Sequence, residues 1–293
     1  VICYISDSVD KSVLTRMRKL IQSIDVDALT MNIESLAECM FTHKWINPFP
    51  KFKYSERPDT ATAAILDGNI VIMVDNSPAV MIIPASIFDI IEEADDFNFS
   101  PIVGSYLRIT RFFFSIVTWI LTPLWLLFIN NPDWVPEFLK FILITDDITV
   151  PVLLQLLILE LAVDGLKLAA VNTPTMLSTP LSIVAGIVVG EYAVSSGWFN
   201  PEALLYMAVV TVGTYGQTNF EMGYAFKFLR VLMLILTQIF NLAGLITGVV
   251  ISVLMIAFNR TITGKSYIYP LIPWDGKMLK RKVFRVRLPH GYK

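Results

Sequence analysis

The chain has 293 residues, 55% of them hydrophobic and 16% charged, with a formal net charge of −2. Soluble domains carry about 25% charged residues, so an all-soluble chain is excluded. The near-neutral total conceals polarity: 8 Lys/Arg stand against 15 Asp/Glu in residues 1–103, 6 against 9 in 104–258, and 9 against 1 in 259–293.

The chain opens at Val1, without Met or a signal peptide. Its first residues read as a strand already inside a domain, so residues 1–103 are expected to be the second half of a longer N-terminal region. After the β-rich run 2–6, Val13, Leu14, Met17, Leu20, Ile21 and Ile24 recur on one helical face. Residues 33–41 predict a second helix, and 47–59, with three prolines, a loop. Thr60–Leu66, Asn69–Asp75 and Ala79–Pro84 are apolar, β-branched runs parted by Asp67-Gly68 and Asn76-Ser77-Pro78, which predicts a three-stranded meander. Ser86–Ala94 reads as a helix. The acidic residues 92–96 read as a solvated surface rather than a metal site. Cys3 and Cys39 make neither a disulfide framework nor, alone, a metal site. No cofactor is expected.

Phe112–Asn130 has no charge and is near the roughly 20 residues that a bilayer requires. Arg108 and Arg111 precede it, and the acidic stretch Asn131–Val150 follows, which places the N-terminal domain inside and that loop outside. Pro151–Val171 is apolar but carries Glu160, Asp164 and Lys167. Leu181–Ser195 and Ala203–Tyr215 are short. Phe228–Phe258 would span about 45 Å as one helix, with Asn241 and Gly244 marking a break. The basic residues 259–293 place the C-terminus inside as well. Six crossings follow if 151–171 crosses and 228–258 is a hairpin. Four follow if 151–171 lies at the interface and 228–258 is one tilted helix. The fold expected is therefore α+β: a small cytosolic α/β domain (1–103), a polytopic helical membrane domain of four to six apolar segments (104–258) and a basic cytosolic tail (259–293).

Charges at membrane depth face a bundle interior, a partner or a water-filled path. Glu160, Asp164 and Lys167, spaced i, i+4, i+7, share one helical face, with Lys167 offsetting one carboxylate. They suit either an ion-paired seam between helices or a conduction or coupling site. Around Leu181–Ser195, Ser182, Gly186, Gly190 and Ala193 form a small-residue packing face. Val184, Ile187, Val188 and Glu191 lie opposite, a face able to gate by dewetting and to attract cations. The alternative is a packed helix with Glu191 near the outer interface. Gly244 and Gly248 repeat the small-residue spacing and read as packing. Enzyme motifs are thin. His43 and His290 are the only histidines, and neither lies near a plausible triad. Gly264-Lys265-Ser266 lacks the glycine five positions earlier that a phosphate loop needs. The basic tail sets topology and meets anionic lipid; nucleic acid is not the expected partner.

Glu56-Arg57-Pro58-Asp59, Leu66-Asp67-Gly68-Asn69 with the run to Asp75, and Ile83-Pro84 together resemble the signature of the GerA-type spore germinant receptor A subunits. Ser182 to Gly190 and Tyr269-Pro270-Leu271-Ile272-Pro273 extend the likeness, and Asn172 to Thr179 is similar to a sporulation-protein branch of that family. The resemblance implies a multi-pass protein of the bacterial spore inner membrane, with both termini cytoplasmic. It implies a homo-oligomer, a pentamer, that releases monovalent cations during germination or amplifies that response, alongside other inner-membrane germination proteins. Position 191, commonly Gln in the family, is Glu here, which would add a negative ring. Two other readings stand beside the channel: a non-conducting scaffold, and a secondary transporter suggested by short broken helices and buried carboxylates.

Overall fold

The computed structural model describes residues 1–40, 47–172, 186–262, 264 and 266–285. The chain forms two compact units: one of Val1–Phe112, Thr218–Met222 and Val253–Lys293, the other of Phe113–Gln217 and Gly223–Ser252.

In the first unit a four-stranded antiparallel sheet has the order β1-β3-β4-β2, from Ile2–Cys3 (β1), Lys53–Ser55 (β2), Ile70–Ile72 (β3) and Val80–Ile83 (β4). Helices α1 (Lys11–Gln22) and α2 (Ile33–Met40) cover one face, packing Val13, Met17, Leu36 and Met40 on Ile70, Ile72, Met81 and Ile83. Ala61 and partly buried Ile65 of α3 (Pro58–Leu66) cover the other, against Val71 and Ile82. Both faces are buried, which is why Ile70-Val71-Ile72 is unbroken apolar sequence rather than an alternation. Each such side chain contributes about 1.5–3 kcal/mol, so β3 anchors the unit. Asp10 caps α1 by accepting from the Ser12 amide at 3.0 Å. Ser86 and Asp89 form a capping box on α4 (Ile87–Ile91).

The meander expectation is corrected in part. Thr60–Leu66 lies in α3, because Pro58 at the first turn, Asp59 beside it and alanines at 61, 63 and 64 favour a helix over the β-branched residues among them. Gly68, at φ +86°, ends that helix, with the Asn69 amide donating to the Ala64 carbonyl. Asp67-Gly68 is thus a helix stop, not a hairpin. The second expected turn holds, with the β3–β4 hairpin turning through Asn76, and β2 arises inside the stretch expected to be a loop.

Two stretches are long and apolar enough to cross a membrane among the described residues: α5 (Pro101–Asn130) and Phe220–Ala257 (α8). The expected four to six are not reached. Three charges interrupt α6 (Val152–Asn172), α7 (Pro201–Tyr215) has only 15 residues, and 181–185 lie outside the described residues. The second stretch doubles back on itself. Asn241 leaves the helical region (φ 55°, ψ −130°), and a Cβ on Gly248 would lie 3.3 Å from the Met233 Cα. Those residues would be about 22 Å apart in one straight helix. A Cβ on Gly244 would collide with the Leu236 carbonyl. The Asn241 amide and carbonyl exchange hydrogen bonds with Asn131 at 3.1 and 2.5 Å. Leu127, Met233 and Leu245 pack below this pair. Gly244→Ala is expected to cost about 1–3 kcal/mol by forcing the arms apart, measured as a lower melting temperature in detergent.

Beside the hairpin, Trp125 and Leu126 of α5, Leu156 and Leu159 of α6, Ala203 and Met207 of α7 and Leu234 of α8 form one core. Buried Gln155 and Asn200 join the N-terminal ends of α6 and α7, with the Asn200 amide donating to Gln155 Oε1 at 2.9 Å and Gln155 Nε2 to Asn200 Oδ1 at 2.8 Å. Trp125 donates to the Ile142 carbonyl and stacks on Tyr206 at 4.6 Å.

Candidate functional site

The charges of α6 meet two cations on the first arm of α8. Arg230 Nε lies 2.5 Å from Glu160 Oε1, and its Nη1 donates to the Thr118 carbonyl of α5. Lys227 pairs with Asp164 and donates to the Glu160 carbonyl at 3.0 Å. Arg230 and Glu160 are 3% and 5% exposed, Lys227 and Asp164 13% and 23%, so the network is more deeply buried at its Arg230 end. Glu160 to Asp164 is one turn and Lys227 to Arg230 nearly one, so two antiparallel helices set the pairs in register. Glu160 and Asp164 find their partners on α8, in Lys227 and Arg230, and not in Lys167 as expected. The available signal was two cations three apart in an apolar run, complementary to two carboxylates four apart. Lys167 lies instead over the rings of Tyr215 and Tyr224, 5.1 and 5.7 Å from their centroids.

The Glu191 segment has a different character. Ile187–Tyr192 form a π-helical turn that Ala193–Ser195 continue. Glu191 is exposed and makes no ion pair among the described residues. A Cβ on Gly186 or Gly190 would meet no atom within 4 Å. Ser182 and Val184 lie outside the described residues, as do the side chains of Ile187 and Val188.

In the first unit the expectation of a solvated acidic surface at 92–96 is corrected: Glu92, Asp95 and Asp96 are held in ion pairs. Asp96 is fully buried and takes both guanidinium nitrogens of Arg111 at 2.6 and 2.7 Å, and Arg108 Nε at 3.1 Å. Arg108 Nη2 lies 2.6 Å from Glu92 Oε1, a charge contact without hydrogen-bond alignment, and its Nη1 donates to the Arg281 carbonyl at 3.0 Å. Lys282 of α9 (Gly276–Val283) lies 2.5 Å from Asp89 and 2.9 Å from Glu92. Burial works against the Lys282 ammonium, but the Asp89 and Glu92 carboxylates overcome it and hold Lys282 well above the usual lysine value. Lys53 donates to the carbonyls of Asp89 and Glu92, both at 2.6 Å, closing the C-terminal end of α4. Burial lowers its affinity for the proton. The cavity beside these groups is only about 70 Å³, room for a few waters rather than a metabolite.

The Glu56-Arg57-Pro58-Asp59 turn lies nearby. Arg57 grips Asp59 with Nε at 3.2 Å and Nη2 at 2.6 Å, and also pairs with Asp95. The Arg57 hydrogen bonds, with the Thr60 amide, lower the Asp59 carboxyl to about 2. Glu56 is exposed. The pairs are solvated, so they fix the entry into α3 more than they stabilise it.

A sheet-and-helix unit, two membrane-capable stretches and a motif-bearing turn define the class. The chain belongs to the GerA family: the family model of the Bacillus/Clostridium GerA spore germination protein matches residues 1–293. It is 36% identical over 288 residues to stage V sporulation protein AF of Bacillus subtilis, covering 98% of this chain and 58% of that protein. It is 26% identical to spore germination protein KA of B. subtilis (97% and 52% covered) and 26% identical to spore germination protein GerLA of Bacillus cereus (97% and 58%). The chain therefore spans little more than half the length of these relatives. No solved structure matches it.

Proposed function

We propose that this chain is the membrane-embedded part of a germination protein that assembles into a ring in the spore inner membrane and conducts monovalent cations. Glu191 carries the reading. A carboxylate stands exposed in an apolar region, on a turn where a Cβ at Gly186 or Gly190 would meet no described atom within 4 Å. Neighbouring copies would occupy the glycine face, and Val184, Ile187, Val188 and Glu191 would line the aqueous path, with the carboxylates raising local cation concentration. The ends of the membrane-capable stretches, 101–112, 220–222 and 253–257, fall in the same compact unit as the N-terminal and basic C-terminal segments. That arrangement supports several passes with both termini on the cytoplasmic side. The network of Glu160, Asp164, Lys227 and Arg230 would hold the helices that carry the path. Other germination proteins of the inner membrane would be its partners.

Val188→Ala widens an apolar constriction without adding charge, so it is expected to raise basal potassium leak from proteoliposomes several-fold at unchanged oligomer mass. Unchanged leak with normal assembly removes the gating role from this face. A non-conducting scaffold, the second reading, predicts a ring without flux.

A further inference from the structure

The first unit carries an unpaired amphipathic feature at its C-terminal side. Leu271, Ile272, Pro273 and Trp274 are four consecutive exposed residues, with Ile272 59% and Trp274 71% exposed. Asp275 follows, and its carboxylate accepts from the amides of Lys277 and Met278, both at 3.1 Å, which starts α9. On this helix Lys277, Lys280, Arg281 and Phe284 fall on one face at i, i+3, i+4 and i+7. Met278, Leu279 and Lys282 turn the other way, Lys282 toward Asp89 and Glu92. Lys277, Lys280 and Phe284 are exposed, and the two lysines make no ion pair among the described residues. An apolar tip ending in tryptophan, continued by a cationic helix face, matches the layers of a membrane interface: acyl boundary, then headgroups. A soluble loop has no use for four exposed apolar residues in a row. The tip also follows the end of α8 at Ala257 by only 14 residues, so the chain remains within reach of the surface where that helix would emerge.

We propose that Leu271–Trp274 and the Lys277/Lys280 face of α9 form a second membrane anchor that selects anionic phospholipid headgroups. The proposal rests on the membrane reading above. Trp274 would insert at the headgroup level, and the two lysines would pair with phosphate-bearing anionic headgroups. Attraction of this kind is worth roughly fivefold per lysine near an anionic surface and weakens with salt. The anchor fixes the orientation of the basic segment on the leaflet that carries acidic lipid.

The test uses the full chain in vesicles containing either phosphatidylglycerol or phosphatidylcholine brominated high on the acyl chain, as the minor component. Tryptophan quenching is read for the wild-type protein and for Trp274→Phe, and the difference isolates Trp274. The expected result is that the Trp274 signal is quenched more by the brominated phosphatidylglycerol, and that Lys277→Glu/Lys280→Glu abolishes this preference without shifting the melting temperature. The tryptophans other than Trp274, Trp119 of α5 among them, provide the internal control. If they are quenched equally by both lipids while Trp274 is quenched by neither, or equally by both, the anchor is overturned and the membrane reading stands. If no tryptophan is quenched by either lipid, both are overturned.

Discussion

Arg230→Met is expected to destabilise the protein by about 3–5 kcal/mol, enough to deplete folded protein from detergent extracts. Burying an ion pair is close to neutral overall, because desolvating two charges offsets their attraction. Removing one partner is not neutral, since it strands the other in low dielectric. Glu160 is 5% exposed, with Arg230 at 2.5 Å and Lys227 at 3.6 Å. Without Arg230 the Thr118 carbonyl also loses a charged donor. The double variant Glu160→Gln/Arg230→Met removes both charges and is expected to recover more than half of the loss. Lys227→Met is expected to cost less, since Asp164 is 23% exposed and so less desolvated than Glu160. Thermal unfolding in detergent, followed by tryptophan fluorescence, measures all three. A single Arg230 variant as stable as the wild type would show that the pair is solvated, and the network would then carry no structural weight.

Lys282→Met should have the next largest effect, about 3 kcal/mol, because it leaves Asp89 and Glu92 facing one another without their shared cation. The same clamp fixes a pH window. Burial raises the Asp89 carboxyl, but Lys282 and the Ser86 hydrogen bonds outweigh it, so Asp89 lies below the usual carboxylate value of about 4. Its contribution is therefore present above that value and is lost as pH falls through the lower folded one. Lys282 is shifted upward, so its contribution is complete below the usual lysine value of about 10 and is lost only as pH rises beyond it. Stability from the clamp should be flat across neutral pH and fail at acid pH. The Lys282→Met variant should lose most of this acid-side dependence, as seen by urea unfolding of the full chain at a series of pH values.

What the sequence could disclose followed the physics of each element. The face of α1 was legible because local periodicity determines it. The strand assignment for Thr60–Leu66 failed because Asp-Gly serves a helix stop as well as a hairpin, and the deciding residue, Pro58, lay in the preceding segment. β1 was legible in the β-rich run 2–6, but the three-residue β2 depends on long-range pairing with β4, which no local pattern records. Near the charges, the carboxylates on α6 were visible as anomalies in an apolar run, but their partners lie 63 and 70 residues away on α8. The turn at Asn241 was legible as a place and not as a geometry. Only the approach of Gly248 to Met233 separates a hairpin from a kinked rod.

The proposed conduction by a ring of this chain is tested by potassium flux from proteoliposomes beside the mass of the reconstituted oligomer. A closed oligomer is expected, with flux that is selective for cations over anions and falls when Glu191 is replaced by Gln. A ring that passes no ion under any tested condition, or a monomer whose flux saturates with a coupled substrate, would contradict the proposal.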